Sequence, residues 1–372
     1  MNRMVIANLV HRPVRSIISV LAIAVEVTLI LLIVGLCIGM LNDTKDRQKG
    51  IGFDVMVLPP GSSIFTGMTG APVSVKVADK LRQVPHVEVA TPIVMQMITT
   101  GRLEVLDGVV LDPASPNDFD RMGRAFHYLQ GGPFQGPYDM IVDDLFASQR
   151  NAKVGGTFEV MNQKFRICGI VEHGKGARRF VPMATLQDMI GANGKASIFY
   201  VKVDDDRNVD QVVAAIKAIP GMEQYAVRSV GEYTSMMTVE NMPGLNQFID
   251  VVIGVSIIIG FIVIFQAMYT AVMERTREIG ILKSLGASRL YIANVVMRET
   301  FLLSLGGFAC GVAFSAVARL ALSHKFPVLP IAWDNHWVLR AAVIAVVGAL
   351  LGALYPALKA ARKDPIDALA YE

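Results

Sequence analysis

Side chains able to carry chemistry are few and scattered along this chain. Its six histidines and three cysteines, Cys37, Cys168 and Cys310, show no metal-ligand spacing. Two of the cysteines sit in apolar runs and only Cys168 lies in the polar middle, so no disulfide forms there; each reads as a small buried apolar residue. Asp204-Asp205-Asp206 has the composition of a cation site but reads as a solvated turn between a strand and a helix. Asp143-Asp144 reads as a helix start before Leu145-Phe146-Ala147 rather than an acid pair. Lys175, Arg178 and Arg179 read as a plain basic surface loop. Neither His173-Gly174-Lys175-Gly176 nor Gly191-Ala192-Asn193-Gly194-Lys195 has the spacing of a phosphate-cradling loop. No nucleophile is paired with a base. The expectation is a non-catalytic chain that binds no cofactor or metal directly.

Two features stand apart from that background. The first is Glu26, a carboxylate inside a long apolar run, where insertion into a membrane costs about 2.5–3.5 kcal/mol. It must face protein or water, as a structural partner, in neutral form, or as a proton relay. The second is the stretch Glu274 to Ser288, set between two apolar runs. Its first five residues carry four charges, and Ile279, Leu282 and Leu285, with Ile281 beside them, then place an apolar stripe on one side of a helix. Gly286 suits a left-handed helix end, and Ser288 suits the cap of the next helix. A short amphipathic helix with a defined end is built to press against a partner.

The elements that must position these residues follow from composition. At 372 residues, 53% hydrophobic and 18% charged, with mean hydropathy +0.46, the chain is too apolar for an ordinary soluble domain. Residues 42–246 hold 21 Lys+Arg against 23 Asp+Glu, a net of −2, and the remainder holds 14 against 9, a net of +5. The basic excess belongs to the apolar part, which bears on membrane orientation and not on nucleic acid. Four apolar runs are long enough to span a bilayer, at 17–41, 247–273, 299–322 and 337–356. The first is too long for a signal peptide and no cleavage site follows it. Residues 1–16 form a short helix leading into it, 274–298 and 323–336 are connecting segments, and 357–372 is a tail. Eleven of the 14 basic residues outside 42–246 lie in 1–16, in 274–298 or after Pro356, which puts both termini and the 274–298 segment in the cytoplasm.

Residues 42–246 contain no span and read as an extracytoplasmic α+β domain. Strands are expected at 53–58, 87–100, 103–111 and 197–203, with a hairpin of 157–160 and 164–171 around Asn162-Gln163. A helix is expected from Val209 to Ile219, ending at Pro220-Gly221, and a loop-rich insertion from Asp112 to Pro137. The fold class is therefore membrane α-helical, four transmembrane helices, with an α+β domain between the first and second spans.

Glu274-Arg-Thr-Arg-Glu-Ile-Gly-Ile-Leu-Lys-Ser-Leu-Gly-Ala-Ser288 closely resembles the segment after the second span of MacB/FtsX-type ABC transporter permeases. Tyr355-Pro-Ala-Leu-Lys-Ala-Ala-Arg-Lys-Asp-Pro-Ile-Asp-Ala-Leu369 is similar to the family's ending, and Asp364-Pro365 there should start a small terminal helix over Pro365–Leu369. Asn8-Leu9, Arg12-Pro13 and Arg15-Ser16 resemble the family's start, and the middle domain is similar in layout, including Pro85-His-Val-Glu-Val-Ala-Thr-Pro92. The resemblance implies a bacterial inner-membrane permease subunit working as a homodimer or related heterodimer with two copies of a separate ABC ATPase, the component that uses ATP. It implies a coupling role for Glu274, Arg275, Glu278, Ile279, Leu282, Leu285 and Gly286, and mechanotransmission from the ATPase to the outer domain. Efflux with a periplasmic adaptor and outer-membrane channel, lipid or lipoprotein release, and FtsX-like control of a cell-wall hydrolase are the outputs it leaves open.

Overall fold

The computed structural model describes residues 13–62, 70–99, 103–110, 122, 126–242, 244–326 and 328–363. The chain divides into two compact units. One comprises Met1–Gly39, Gly244–Lys325 and Leu329–Glu372, and the other Met40–Pro243 with Phe326–Val328. The terminal helix expected at Pro365–Leu369, the residues before Pro13 and half of the 112–137 insertion lie outside the described residues.

The first unit is built on four long helices, Pro13–Ile51, Leu245–Glu274, Arg289–Lys325 and Asn335–Arg362, each long and apolar enough to cross a membrane. Where both lipid and interior are apolar, helices are held by close fit rather than by burial of hydrocarbon. The third helix supplies that fit with Gly307, Gly311 and Ser315, all buried. A Cβ at Gly307 would stand 2.6 Å from Ile23 Cβ, and one at Gly311 2.7 Å from Val27 Cβ, so the first helix packs directly on the third's backbone. Thr28 Oγ1 fastens the contact, donating to Ala24 O at 2.6 Å and Gly311 O at 3.1 Å. The fourth helix turns its own small column inward through Ala341, Ala345, Gly348, Gly352 and Ala353. Glu26 is 6% exposed, and its carboxylate lies against Gly260 of the second helix, where any side chain would overlap it. It faces protein.

The second unit is a ten-stranded mixed sheet with helices on its faces. Its strands are β1 (Val55–Leu58), β2 (Val73–Ser74), β3 (Val87–Thr99), β4 (Leu103–Val109), β5 (Tyr128–Gly131), β6 (Asp139–Asp143), β7 (Thr157–Val160), β8 (Gln163–Val171), β9 (Arg179–Pro182), β10 (Lys195–Ala196), β11 (Ile198–Val203) and β12 (Ala226–Ser229). The order is β12-β1-β11-β3-β4-β9-β6-β8-β5, with β7 beside β8 and β2–β10 a separate pair. β3 joins two lobes, because its first half pairs with β11 and its second half with β4. Both faces of β1 are buried: Val55 and Val57 enter one core with Phe199, Val212 and Ile216, while Met56 and Leu58 enter another with Phe53, Phe180 and Tyr200. The 157–171 hairpin forms, but its turn is Met161-Asn162, one residue earlier than the spacing suggests. Both residues have positive φ, 51° and 66°, the twist a two-residue hairpin requires. Asp143 caps the Asp144–Arg150 helix by accepting from Phe146 N at 2.6 Å.

The first helix runs ten residues past its expected end at 41, to Ile51, because the outer domain grips that extension. Gly176 N donates to Arg47 O at 2.9 Å, and Arg47 Nη1 donates to Gly176 O at 3.0 Å. Asp43 pairs with Arg47 at 3.0 Å, and Arg178 reaches both Asp43 and Asp143 at 3.4 Å. Arg179 is 2% exposed, with its guanidinium 5.3 Å from the Phe146 ring centroid. The stretch expected as plain basic surface is therefore an internal clamp at Arg178 and Arg179. Beneath it Asp107 is buried, and its Oδ1 has no hydrogen-bond partner among the described residues. Burial pushes its carboxyl up to about 7, against the opposing pull of the Ala177 amide and Arg47.

A carboxyl raised in the folded state holds its proton where the unfolded chain has lost it, so its stabilising contribution falls as pH climbs from about 4 to about 7. Asp107→Asn removes that loss. In thermal melts of the full-length protein, the variant's Tm relative to the parent should be higher by about 5 °C at pH 7.5 than at pH 4.5. An offset that is the same at both pH values would refute the assignment.

Candidate functional site

The candidate site is the junction between the second and third long helices. The second helix ends at Glu274, and Arg275 leaves the helical line with φ −105° and ψ 17°. Thr276 Oγ1 serves the carbonyl groups freed by this break, donating to Met273 O at 2.8 Å and Val272 O at 3.3 Å. A new helix, Thr276–Ser284, starts there. It stops at Gly286, whose φ of +92° only glycine adopts without strain. Ala287 N bonds Leu282 O and Gly286 N bonds Lys283 O, both at 3.0 Å, the paired closure of a Schellman cap. Ser288 Oγ then accepts from Tyr291 N at 3.1 Å and opens the third long helix. That helix begins at Arg289, so the segment expected as a 274–298 connector is a short helix followed by the third span's own first turns.

Two polar contacts hold this junction helix in place, and a third holds the end of the span before it. Arg275 grips Glu299 of the third long helix with two hydrogen bonds, Nη1 to Oε2 at 2.9 Å and Nη2 to Oε1 at 3.2 Å, and the two side chains are 12% and 6% exposed. The planar fork suits the carboxylate and fixes orientation as well as distance. Lys283 Nζ donates to Ala361 O at 3.1 Å and to Lys363 O, placing a cation on the carbonyl end of the fourth long helix. Lys359 Nζ of that helix donates to Tyr269 Oη at 2.7 Å and lies 4.5 Å from the same ring's centroid. The end of the second span is thus tied to both the third and the fourth.

The junction helix has two distinct faces. Ile279 is 9% exposed, Leu282 is half-buried, and both line a small, partly open space of about 40 Å³ with Val272, Ile292 and Val296. That volume holds a water or two and no larger ligand. Glu278, at the edge of that space, Ile281 and Leu285 are exposed, spaced three and four residues apart, and Glu274 is exposed at the end of the preceding helix. Leu285 is 81% exposed, and Leu290 beyond the cap is 83% exposed. The expected stripe of Ile279, Leu282 and Leu285 is therefore split: Ile279 turns into the chain's own bundle, and Ile281 joins Leu285 outside. Arg275 also turns inward. Glu274, Glu278, Leu285 and Gly286 are exposed. The fixing residues Glu299, Lys283, Tyr269 and Lys359 were not singled out from sequence. Glu299 was legible, since a carboxylate at the start of an apolar span needs a cation. Among the described residues, no group of three His, Cys, Asp or Glu could hold a metal.

Residues 16–219 match the MacB-like periplasmic core domain family, and residues 251–365 match the FtsX-like permease C-terminal family. The chain is similar to a macrolide export ATP-binding/permease protein, MacB, of Shewanella sp. (strain W3-18-1), at 25% identity over 97% of this chain and 59% of that protein. It is also similar to an uncharacterized ABC transporter permease, YknZ, of Bacillus subtilis (strain 168), at 24% identity over 100% of this chain and 98% of that one. The chain spans about three fifths of the length of the curated MacB relative and nearly all of YknZ. Among solved structures, the periplasmic region of MacB from Actinobacillus actinomycetemcomitans aligns with a TM-score of 0.38 at 17% identity, covering 53% of this chain and 97% of that one.

Removing one partner of a buried ion pair strands the other, at a cost of about 3–5 kcal/mol. Arg275→Ala should therefore destabilise the full-length protein by about 3 kcal/mol in detergent denaturation. Adding Glu299→Gln to that variant should recover a large part of the loss. Equal stability of Arg275→Ala and the parent would show that the pair does not hold the junction.

Proposed function

The chain belongs to the MacB/FtsX-type ABC transporter permeases, and on that premise we propose that its junction helix receives the push of a nucleotide-binding partner. The single observation that carries this reading is the exposed run of Glu278, Ile281 and Leu285 on and just past a helix pinned from behind by Arg275 and Lys283. Ile281, Leu285 and Leu290 would bury against the partner, while the two glutamates set register against its basic groups. Gly286 ends the surface and keeps it short.

The pinning gives the push a direction. Because Arg275 holds the third long helix and Lys283 the fourth, displacement of the junction would move the end of the second span with its neighbours. The second span begins at Leu245, directly after the outer domain, and the first long helix enters that domain beyond Gly39. The chain thus leaves the bundle for the outer unit after Gly39, returns at Gly244, and crosses again around Phe326–Val328. In this mechanism two copies of the permease and two ATPase subunits form the working unit, the junction faces the cytoplasm, and ATP is used by the partner. The outer domains would change shape around a substrate already outside the membrane, so that export or release needs no passage through the bundle. No residue of this chain makes or breaks a bond in such a cycle.

In a reconstituted complex with its ATPase, Glu278→Arg and Leu285→Asp should each lower transport-coupled ATP hydrolysis by about tenfold or more, with membrane insertion and folding unchanged. Both residues are exposed, so neither substitution disturbs the core. Full coupled activity in both variants would overturn the assignment.

A further inference from the structure

One exposed face of the fourth long helix changes character along its length in the way a phospholipid does. Val343, Val347, Leu351, Leu354 and Leu358 are exposed, spaced four, four, three and four residues apart, and so form a single apolar column. Tyr355 beside them is also exposed, the amphipathic ring expected where hydrocarbon gives way to headgroups. The column then ends in Lys359, Arg362 and Lys363. These three cations, with Tyr355 and Leu358, line an open hollow of about 350 Å³.

Basic residues in the last turn of a helix can simply serve its carbonyl groups. Here Lys283, from another helix, already bonds the Ala361 and Lys363 carbonyls. Arg362 is exposed and makes no ion pair with any of the described residues. Lys359 gives one hydrogen bond to Tyr269 and keeps further N–H groups, as an ammonium has three donors. A cationic hollow at the end of an apolar column fits a ligand with an anionic head and a long apolar tail.

We propose that this hollow binds the phosphate of an anionic phospholipid, with the acyl chains laid along Val343 to Leu358. Cations near such a headgroup attract its net negative charge, so the hollow favours an anionic over a zwitterionic lipid by about tenfold or more. The bound lipid would sit beside Lys359 and Lys363, the groups that tie the fourth helix to the second and to the junction helix, and so would steady that end of the bundle. The proposal rests on the membrane-spanning reading of the four helices and is independent of the coupling role of the junction.

The test is lipid titration of the full-length permease in detergent, without its ATPase, followed by native mass spectrometry. Phosphatidylglycerol should bind about tenfold or more tighter than phosphatidylcholine. Arg362→Gln combined with Lys363→Gln should erase the preference, and so should the single Arg362→Glu if the double variant fails to fold. Arg340→Gln, a cation stacked 4.7 Å over Trp337 at the opposite end of the same helix, should leave it intact. Equal binding of the two lipids, or a preference that survives the substitutions, would overturn the proposal. Competition by glycerol 3-phosphate at the same concentration would assign the hollow to a soluble phosphate instead.

Discussion

A guanidinium and a carboxylate held away from water at the end of a membrane span are the constraint on which the junction depends. Arg275 interrupts the second helix, and its break in backbone direction makes sense only because Glu299 waits 2.9 Å away on the next long helix. In that low-dielectric setting neither charge is tolerable alone, so the two helices must keep one relative position at this end. The Thr276 hydroxyl then satisfies carbonyl groups that the break exposes, and the Schellman closure at Gly286 and the Ser288 cap serve the helix ends that follow. The result is a nine-residue helix with a fixed inner face and a free outer one.

The bundle behind it is organised by the absence of side chains more than by their presence. Gly307 and Gly311 let the first helix lie on the backbone of the third, and the alanine and glycine column of the fourth helix permits the same closeness. Apolar residues such as Val343, Ile258 and Val317 are correspondingly left on the outside, as expected where the surrounding solvent is lipid. Glu26 fits this scheme: it takes the space that Gly260 leaves empty. The outer domain follows the opposite rule, with a long sheet whose strands bury Val, Ile and Phe on both faces and whose polar groups are clamped in place by Arg47, Arg178 and Arg179.

How much was legible varied with the range of the interaction that decides it. Helix ends set by local chemistry were readable: the Gly286 stop, the Ser288 cap and the Asp143 cap each involve residues within five positions of one another. Strands were readable where alternation or β-branched runs were strong, and the hairpin turn was misplaced by one residue because Met161, an uncommon residue at positive φ, hides the signal. The basic loop was misread because its partners, Asp43 and the Phe146 ring, lie 135 and about 30 residues away and carry no local mark. The split of the apolar stripe was illegible for a related reason. Periodicity shows that Ile279, Leu282 and Leu285 share part of a helix surface, but it does not say which neighbour covers it.

By itself the sequence determined that there are four spans with an α+β domain between the first and second, that the 274–288 stretch holds a short capped helix, and that no phosphate loop or metal-ligand spacing is written into its motifs. Those features depend on hydrophobic length, on near-neighbour hydrogen bonds and on residue type, all of which are local. Only the tertiary structure decided which residues of the junction helix are exposed, that Arg275 turns inward to Glu299, and that Lys359 and Arg362 line a hollow at the end of an apolar column. Each of these depends on which distant helix supplies Glu299, Tyr269 or the Ala361 carbonyl, and a single helix's period carries no information about its partner.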